Sequence, residues 1–402
     1  MNIESDNFFD AIIIGAGPAG TAAAITLGHN LNFKLLIVDK ENSPIDKVSG
    51  DALTGDSIRC LTELGIMEQV RKKGHMMSHI DLYPFNNKTH FSLDSEVITL
   101  QRGELSSILN RKVMTNANCQ FRQLLFNGEI REEENKYQVD FLEPFTNKIL
   151  TFTCSYVVIS IGCQNDKCLY TLRNIPFKQP DAVAYRGYYS AKWDITFPRA
   201  IFFSLTRKGY IWVFPMKDGF YNVGCGFECT SPKTDLKKVL LNHIEKLNKE
   251  FGTEGAWEEA PKGAFLRSGL INYSKMSYGN VLFVGETISS TYPFTGQGVG
   301  KALETGIRAG SSILESFRLG HISSSELYNK TITEKIKPYF KSYNTAKSLF
   351  TNRLISPLAF SVIIRNLRLQ KYISNILSEK SLPHDFSISK KIIDLLKKKK
   401  GR

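Results

Sequence analysis

The chain contains no C-x-x-C pair, and its seven cysteines (Cys60, Cys119, Cys154, Cys163, Cys168, Cys225 and Cys229) are odd in number. Both facts speak against a disulfide framework or a zinc site and point to a reducing, cytoplasmic setting. No apolar run reaches the ~20 residues that a membrane-spanning helix needs. The opening MNIESDNFFD is acidic and lacks the basic region and apolar stretch of a signal peptide. A soluble protein is expected, associated with a membrane at most peripherally. The seven histidines (His29, His75, His79, His90, His243, His321 and His384) sit in no catalytic constellation, so the sequence names no general acid or base. Excess charge is also scarce outside one region. Of the formal net charge of +13, most lies in residues 331–402, which hold 16 Lys or Arg against 4 Asp or Glu. A nearly neutral body makes nucleic acid an improbable partner. The basic tail suits an anionic membrane surface or an acidic partner, or else is a solvated helical face.

What remains is an ordinary globular mixture, 42% hydrophobic and 23% charged over 402 residues, long enough for two domains and an appendage. Residues 10–15 read as a buried strand, 18–27 as an Ala-rich helix and 33–39 as a second strand. This is one βαβ unit, which implies an α/β fold with a parallel sheet. Further along, 54–64 and 102–114 read as helices, and 79–84 with 89–93 as a hairpin. Strands are expected near 120–126, 136–141, 149–153 and 156–162. Residues 182–227 are strand-rich with turn residues between, which predicts an antiparallel sheet in a second domain. Helical periodicity returns at 237–251 and 298–319, with a strand at 280–285 between them. The basic chain after 319 reads as helical, punctuated by Pro338, Pro357 and Pro383.

The chemistry-bearing motif is Gly15-Ala16-Gly17-Pro18-Ala19-Gly20, which follows the first strand and opens the first helix. Gly15 permits the tight turn, Gly17 lets a pyrophosphate approach the backbone, and Gly20 lets helix pack on strand. The helix N-terminus then stabilises phosphate charge. Asp39, followed by Lys40, ends the second strand, where a carboxylate can accept ribose hydroxyls. Strand, glycines, helix, strand and acid in register specify a dinucleotide, either FAD or NAD.

A second motif separates the two: Gly285-Glu286 after the strand NVLFV, then Pro293-Phe294-Thr295-Gly296-Gln297-Gly298-Val299. Here the sequence resembles the flavoprotein family of aromatic hydroxylases, flavin-dependent halogenases and geranylgeranyl reductases. The resemblance implies that Glu286, where Asp is commoner, approaches the ribityl or pyrophosphate region. It also implies that the Gly296–Val299 turn faces the flavin's pyrimidine edge, where a helix N-terminus stabilises the charge of a reduced flavin. Lys47-Val-Ser49-Gly50-Asp51-Ala-Leu53 is similar to the K-x-C-G-x-x-L segment of the geranylgeranyl reductase branch, with Ser49 in place of cysteine. Arg102 resembles an arginine that the family places near the flavin phosphates. Tyr210-Ile-Trp212-Val-Phe214-Pro, with Asn222-Val-Gly224 after it, resembles segments lining the cavity that faces the flavin; without the resemblance these aromatics would read as core.

The family therefore implies a Rossmann-like FAD-binding domain, a discontinuous antiparallel-sheet substrate domain and a C-terminal helical segment. Boundaries are expected at 1–75, 99–165 and 275–325 for the first, 76–98 and 166–274 for the second, and 326–402 for the third. FAD is the implied cofactor. The implied reaction is hydride transfer to carbon–carbon double bonds of an isoprenoid or other apolar, lipid-like substrate, with Tyr210, Trp212, Phe214 and Pro293 around it. Hydroxylation of an aromatic or natural product is the competing chemistry. Halogenation is disfavoured, because the W-x-W-x-I-P segment reads Y-I-W-V-F-P here. With no second G-x-G-x-x-G, the reductant is expected to be NAD(P)H visiting transiently or an electron-transfer protein. In the tail, apolar residues 354–364, the cations Arg365, Arg368 and Lys371, and the alternating stretch 388–400 fit either an interfacial membrane segment or a cap on the body.

Overall fold

The computed structural model describes residues 7–42, 47–84, 89–163, 180–203, 208–229, 235–270, 276–293, 295–352 and 355–381. Residues 388–400, Leu354, Pro383, Phe294 and Cys168, all invoked above, lie outside the described residues.

Two sheets carry the fold. In the first, Phe8–Ile14 is central because its Ile-rich stretch tolerates burial on both faces; Ile12 and Ile13 are fully buried. Leu35–Asp39 runs parallel on one side, with Ile12 opposite Leu36, and Ile149–Ile159 runs parallel on the other, with Ile12 opposite Val157. Val281–Phe283 and Cys119–Gln123 extend the parallel sheet outward on its two sides. Each such aliphatic side chain contributes roughly 1.5–3 kcal/mol relative to exposure. The helices Pro18–Leu27 and Val299–Leu319 pack on each other, so both glycine turns, which immediately precede these helices, converge on one region.

The second sheet runs in the order Gly255–Leu266, Ala182–Ala191, Phe220–Glu228, Gly209–Pro215, Arg199–Phe203, His75–Pro84, Phe91–Thr99, Ala52–Leu53. Side chains alternate along Gly209–Pro215, as a strand requires. Ile211 and Val213 join a core under the helix Leu236–Phe251, while Tyr210, Trp212 and Phe214 face a cavity. The C-terminal helices Lys337–Phe350, Ile355–Ile364 and Leu367–Leu377 pack over this sheet. Phe350, Ala359, Phe360, Ile363 and Leu369 share a core with Leu82, Phe91, Leu93 and Ala200. The tail is thus a cap on the body over its described part. No helix among the described residues is long and apolar enough to cross a membrane.

Several expectations require correction. The strands at 149–153 and 156–162 are one strand, Ile149–Ile159, whose first part pairs antiparallel with Lys136–Leu142 and whose second part is parallel to Phe8–Ile14. Its changing partners mimic a break in sequence pattern. The hairpin is longer, His75–Pro84 with Phe91–Thr99. Strand 120–126 divides into Cys119–Gln123 and Leu125–Glu133. The second sheet is not wholly antiparallel, since Arg199–Phe203 runs parallel to His75–Pro84. Absent from the sequence reading are the two-residue strands Ala52–Leu53 and Ser277–Tyr278, the short helix Met67–Lys73 and the strand Gly255–Leu266. That strand ends the sheet, and its charged residues leave no apolar alternation to detect.

Candidate active site

The glycine turn behaves as its spacing requires. Gly15 has φ +103°, and a Cβ there would lie 2.3 Å from the carbonyl oxygen of Ser160. Gly17, the residue before the helix, has no atom within 4 Å of such a Cβ, so the space in front of it is open. An anion can therefore reach the unsatisfied N–H groups of the first helical turn. Gly20 packs directly against the Gly15 carbonyl. Asp39 accepts from the Ala16 N–H at 2.7 Å and from the Glu41 N–H at 3.0 Å. Each oxygen retains a lone pair for a ribose hydroxyl.

These residues open into one cavity of about 780 Å³. Gly15, Ala16, Gly17, Pro18, Ala19, Asp39, Lys40, Ser49, Gly50 and Arg102 line it, as do Gly285, Glu286 and the whole Gly296–Gln297–Gly298–Val299 turn. Tyr210, Trp212 and Phe214 line it too, as do Tyr292 and Thr295, whereas Pro293 is buried and does not line it. Segments separated by up to about 280 residues of sequence thus meet at one concavity, the arrangement of a cofactor site.

The second turn is held from both sides. Tyr210 Oη donates to the Thr295 carbonyl at 2.7 Å, and burial pushes the phenol up to about 12. Gln297 Nε2 donates to Thr54 Oγ1 at 3.1 Å. Gly298 precedes the helix Val299–Leu319, presenting a second helix N-terminus to the cavity. Glu286 pairs with Lys47, the first residue of the Lys47–Leu53 block, Nζ to Oε2 2.5 Å, a contact across 239 residues that no spacing in the sequence marks. A helix start open at Gly17, a second helix start lining the same cavity, an acid ending the second strand and a Lys–Glu pair are a set of groups that fits FAD.

Deeper in, a polar cluster surrounds Asp51. This residue is 3% exposed and adopts φ +60°, unusual for a non-glycine. Its Oδ2 accepts from Tyr188 Oη at 2.5 Å and from Asn222 Nδ2 at 2.8 Å. Asn222 also donates to the Ser49 carbonyl and accepts from the Trp212 indole N–H at 2.8 Å. Arg186 donates to the same Ser49 carbonyl and pairs with Glu259 at 2.8 Å. Burial raises the Asp51 carboxyl to about 6, against the opposing pull of the Tyr188 bond, the Arg186 charge, the Asn222 bond and the Arg102 charge. Asn222 and Gly224 lie behind Trp212 and support it: a Cβ on Gly224 would lie 2.2 Å from the indole. The sequence placed Asp51 inside a recognised block, but nothing local marks its partners, 137 and 171 residues away.

The apolar end of the cavity is walled by Ile80, Leu82, Phe202, Phe360, Ile363 and neighbours from the sheet and the C-terminal cap.

Comparison with known proteins agrees with this geometry. The model of the FAD binding domain family matches residues 9–318. A digeranylgeranylglycerophospholipid reductase of Methanocella arvoryzae is 25% identical over 364 residues, covering 83% of this chain and 86% of that protein. A menaquinone reductase of Mycobacterium tuberculosis is 24% identical over 342 residues, 81% of each chain. Among solved structures, a geranylgeranyl bacteriochlorophyll reductase-like protein from Thermoplasma acidophilum superposes with a TM-score of 0.78 at 18% identity, over 97% of this chain and 99% of that one. The chain belongs to the FAD binding domain family and is an FAD-dependent oxidoreductase.

Proposed function

We propose that the chain reduces carbon–carbon double bonds of an isoprenoid or other apolar, lipid-like substrate. The observation that carries this reading is that one cavity joins the two glycine turns to a chamber walled by Ile80, Leu82, Phe202, Phe360 and Ile363. A hydrocarbon chain placed there gains about 0.8 kcal/mol per buried methylene. The reductase names of the relatives agree with that substrate class.

Bound FAD supplies hydride. The positions of the chain's own residues support the following roles. Gly15, Ala16, Gly17, Pro18 and Ala19 hold the pyrophosphate, with Gly20 closing the helix on its strand, and Asp39 with Lys40 holds the ribose. Arg102 and the Lys47–Glu286 pair serve the phosphate and ribityl region. Ser49, Gly50 and the Gly285 and Gly296–Val299 turns would hold the ring, since they line the same cavity. Tyr210, Trp212 and Phe214 form the wall between ring and chamber and exclude water. The reductant is NAD(P)H or an electron-transfer protein. An anionic membrane surface meets the exposed cap residues Ile355, Leu358 and Leu367, beside exposed Arg365, Arg368 and Lys371.

The test is anaerobic mixing of dithionite-reduced holoprotein with a digeranylgeranylglycerophospholipid in detergent micelles. Flavin reoxidation with a product heavier by one hydrogen pair per reduced bond is expected. An unchanged lipid, or oxygen-dependent turnover of an aromatic to a hydroxylated product, would overturn the reading.

A further inference from the structure

We propose that Asp51 is the proton donor that completes double-bond reduction in this cavity. The inference rests on the reductase reading above and assigns the acid that reading lacks. Reduction of an isolated alkene needs a hydride at one carbon and a proton at the other. As hydride forms the first C–H bond, the π electron pair moves to the second carbon and takes the proton from the Asp51 carboxyl. The carboxyl O–H bond breaks and a carboxylate remains. The alkene is reduced by two electrons and the flavin that supplied them is oxidised by two.

Three observations support the assignment. Asp51 lines the cavity next to Ser49 and Gly50, and the Asn222 that bonds its carboxylate also holds the Trp212 indole. Its two oxygens are unequal: Oδ2 accepts from Tyr188 and Asn222, whereas buried Oδ1 has no hydrogen-bond partner. A buried acceptor left bare is costly, and protonating Oδ1 removes the charge while leaving both bonds to Oδ2 intact. The Tyr188 bond, the Arg186 charge, the Asn222 bond and the Arg102 charge oppose the effect of burial and leave the carboxyl at about 6, and Arg186 is itself paired with Glu259. A donor in that range can give up its proton and regain it near neutrality.

The test combines infrared spectroscopy of the FAD-loaded protein with the anaerobic lipid assay. In the wild type, the carbonyl stretch of a protonated carboxyl should disappear as pH rises through about 6, and Asp51→Asn should lack it. Asparagine tolerates the left-handed backbone, and FAD uptake by the variant checks its fold. Tyr188→Phe removes a bond that favours the carboxylate, so the same band should persist to higher pH. In the lipid assay, Asp51→Asn should slow flavin reoxidation by about 100-fold or more. The wild-type rate should fall as pH rises through the same range, and the residual rate of the variant should not. Absence of a titrating carboxyl, an unmoved band in Tyr188→Phe, or reoxidation of Asp51→Asn at the wild-type rate would each overturn the assignment of Asp51 alone. A wild type that shows the band but never reduces the lipid would overturn the reductase reading, and this role with it.

Discussion

Replacing Lys301 with methionine removes a fully buried ammonium from between two buried carboxylates. Its Nζ lies 2.5 Å from Glu304 Oε2 and 2.7 Å from Glu379 Oε1. Burial works against the charge, but Glu304 and Glu379 hold the ammonium well above the ordinary lysine range. Lys301 sits in the helix that begins at the second glycine turn, and Glu379 follows the last helix of the cap, so the cluster fastens cap to cofactor domain. Breaking a buried pair by deleting one partner costs about 3–5 kcal/mol, because the remaining charge is uncompensated. Arg59, which reaches the same two carboxylates at 3.3 and 2.8 Å, remains in the variant. The expected loss is therefore near the lower end, about 3 kcal/mol. Burial already raises the Glu379 carboxyl, and loss of Lys301 raises it further. A group with a raised folded-state value contributes stability at low pH that is lost as pH rises. The deficit of Lys301→Met should therefore be larger at about pH 8 than at about pH 5. Adding Glu379→Gln should recover part of it. The assay is urea unfolding of each variant by circular dichroism at both pH values. A deficit below about 1 kcal/mol, equal at both, matches an exposed pair and would refute the reasoning.

Three other outcomes are expected. Gly17→Val should fold, since the space beside Gly17 is open, yet bind FAD at least about 10-fold more weakly because its side chain fills the phosphate space; fluorescence titration reads this, and unchanged affinity would contradict the site. His243 is buried with Nε2 unpartnered, and burial, with Lys246 and Arg199 nearby, lowers it to about 4. Its stabilising contribution is present above its unfolded value and lost as pH falls toward 4, so His243→Leu should flatten the fall of unfolding free energy in that window, and an unchanged slope would count against the burial argument. Replacing exposed Leu358 and Leu367 with glutamate should reduce flotation with phosphatidylglycerol vesicles while leaving FAD uptake intact; equal flotation would discard membrane docking through the cap.

The parts legible in the sequence are those whose cause is local. Ile12 to Ile14, the glycine spacing and Asp39 announce the first βαβ unit because strand burial, turn and helix start are consecutive. The turn at Gly296–Val299 is legible for the same reason. Ile149–Ile159 read as two strands because its partners differ along its length, which only the folded sheet reveals. The cap kept two readings because Phe360 and Ile363 bury against Leu82 and Phe91, contacts far away in sequence, while Leu358 on the same helix and Leu367 at the start of the next stay exposed. Asp51 stayed hidden for a related reason. Its environment is assembled by Tyr188 and Asn222 from neighbouring strands, and no spacing rule brings them to it.

The most direct measurement of the central claim is titration of the purified protein with FAD, followed by quenching of flavin fluorescence and by retention of a yellow, flavin-type absorption spectrum through gel filtration. Saturable uptake of a single FAD per chain, lost in Gly17→Val, is the result predicted. Correctly folded protein that emerges colourless and leaves the fluorescence of added FAD unchanged would contradict it.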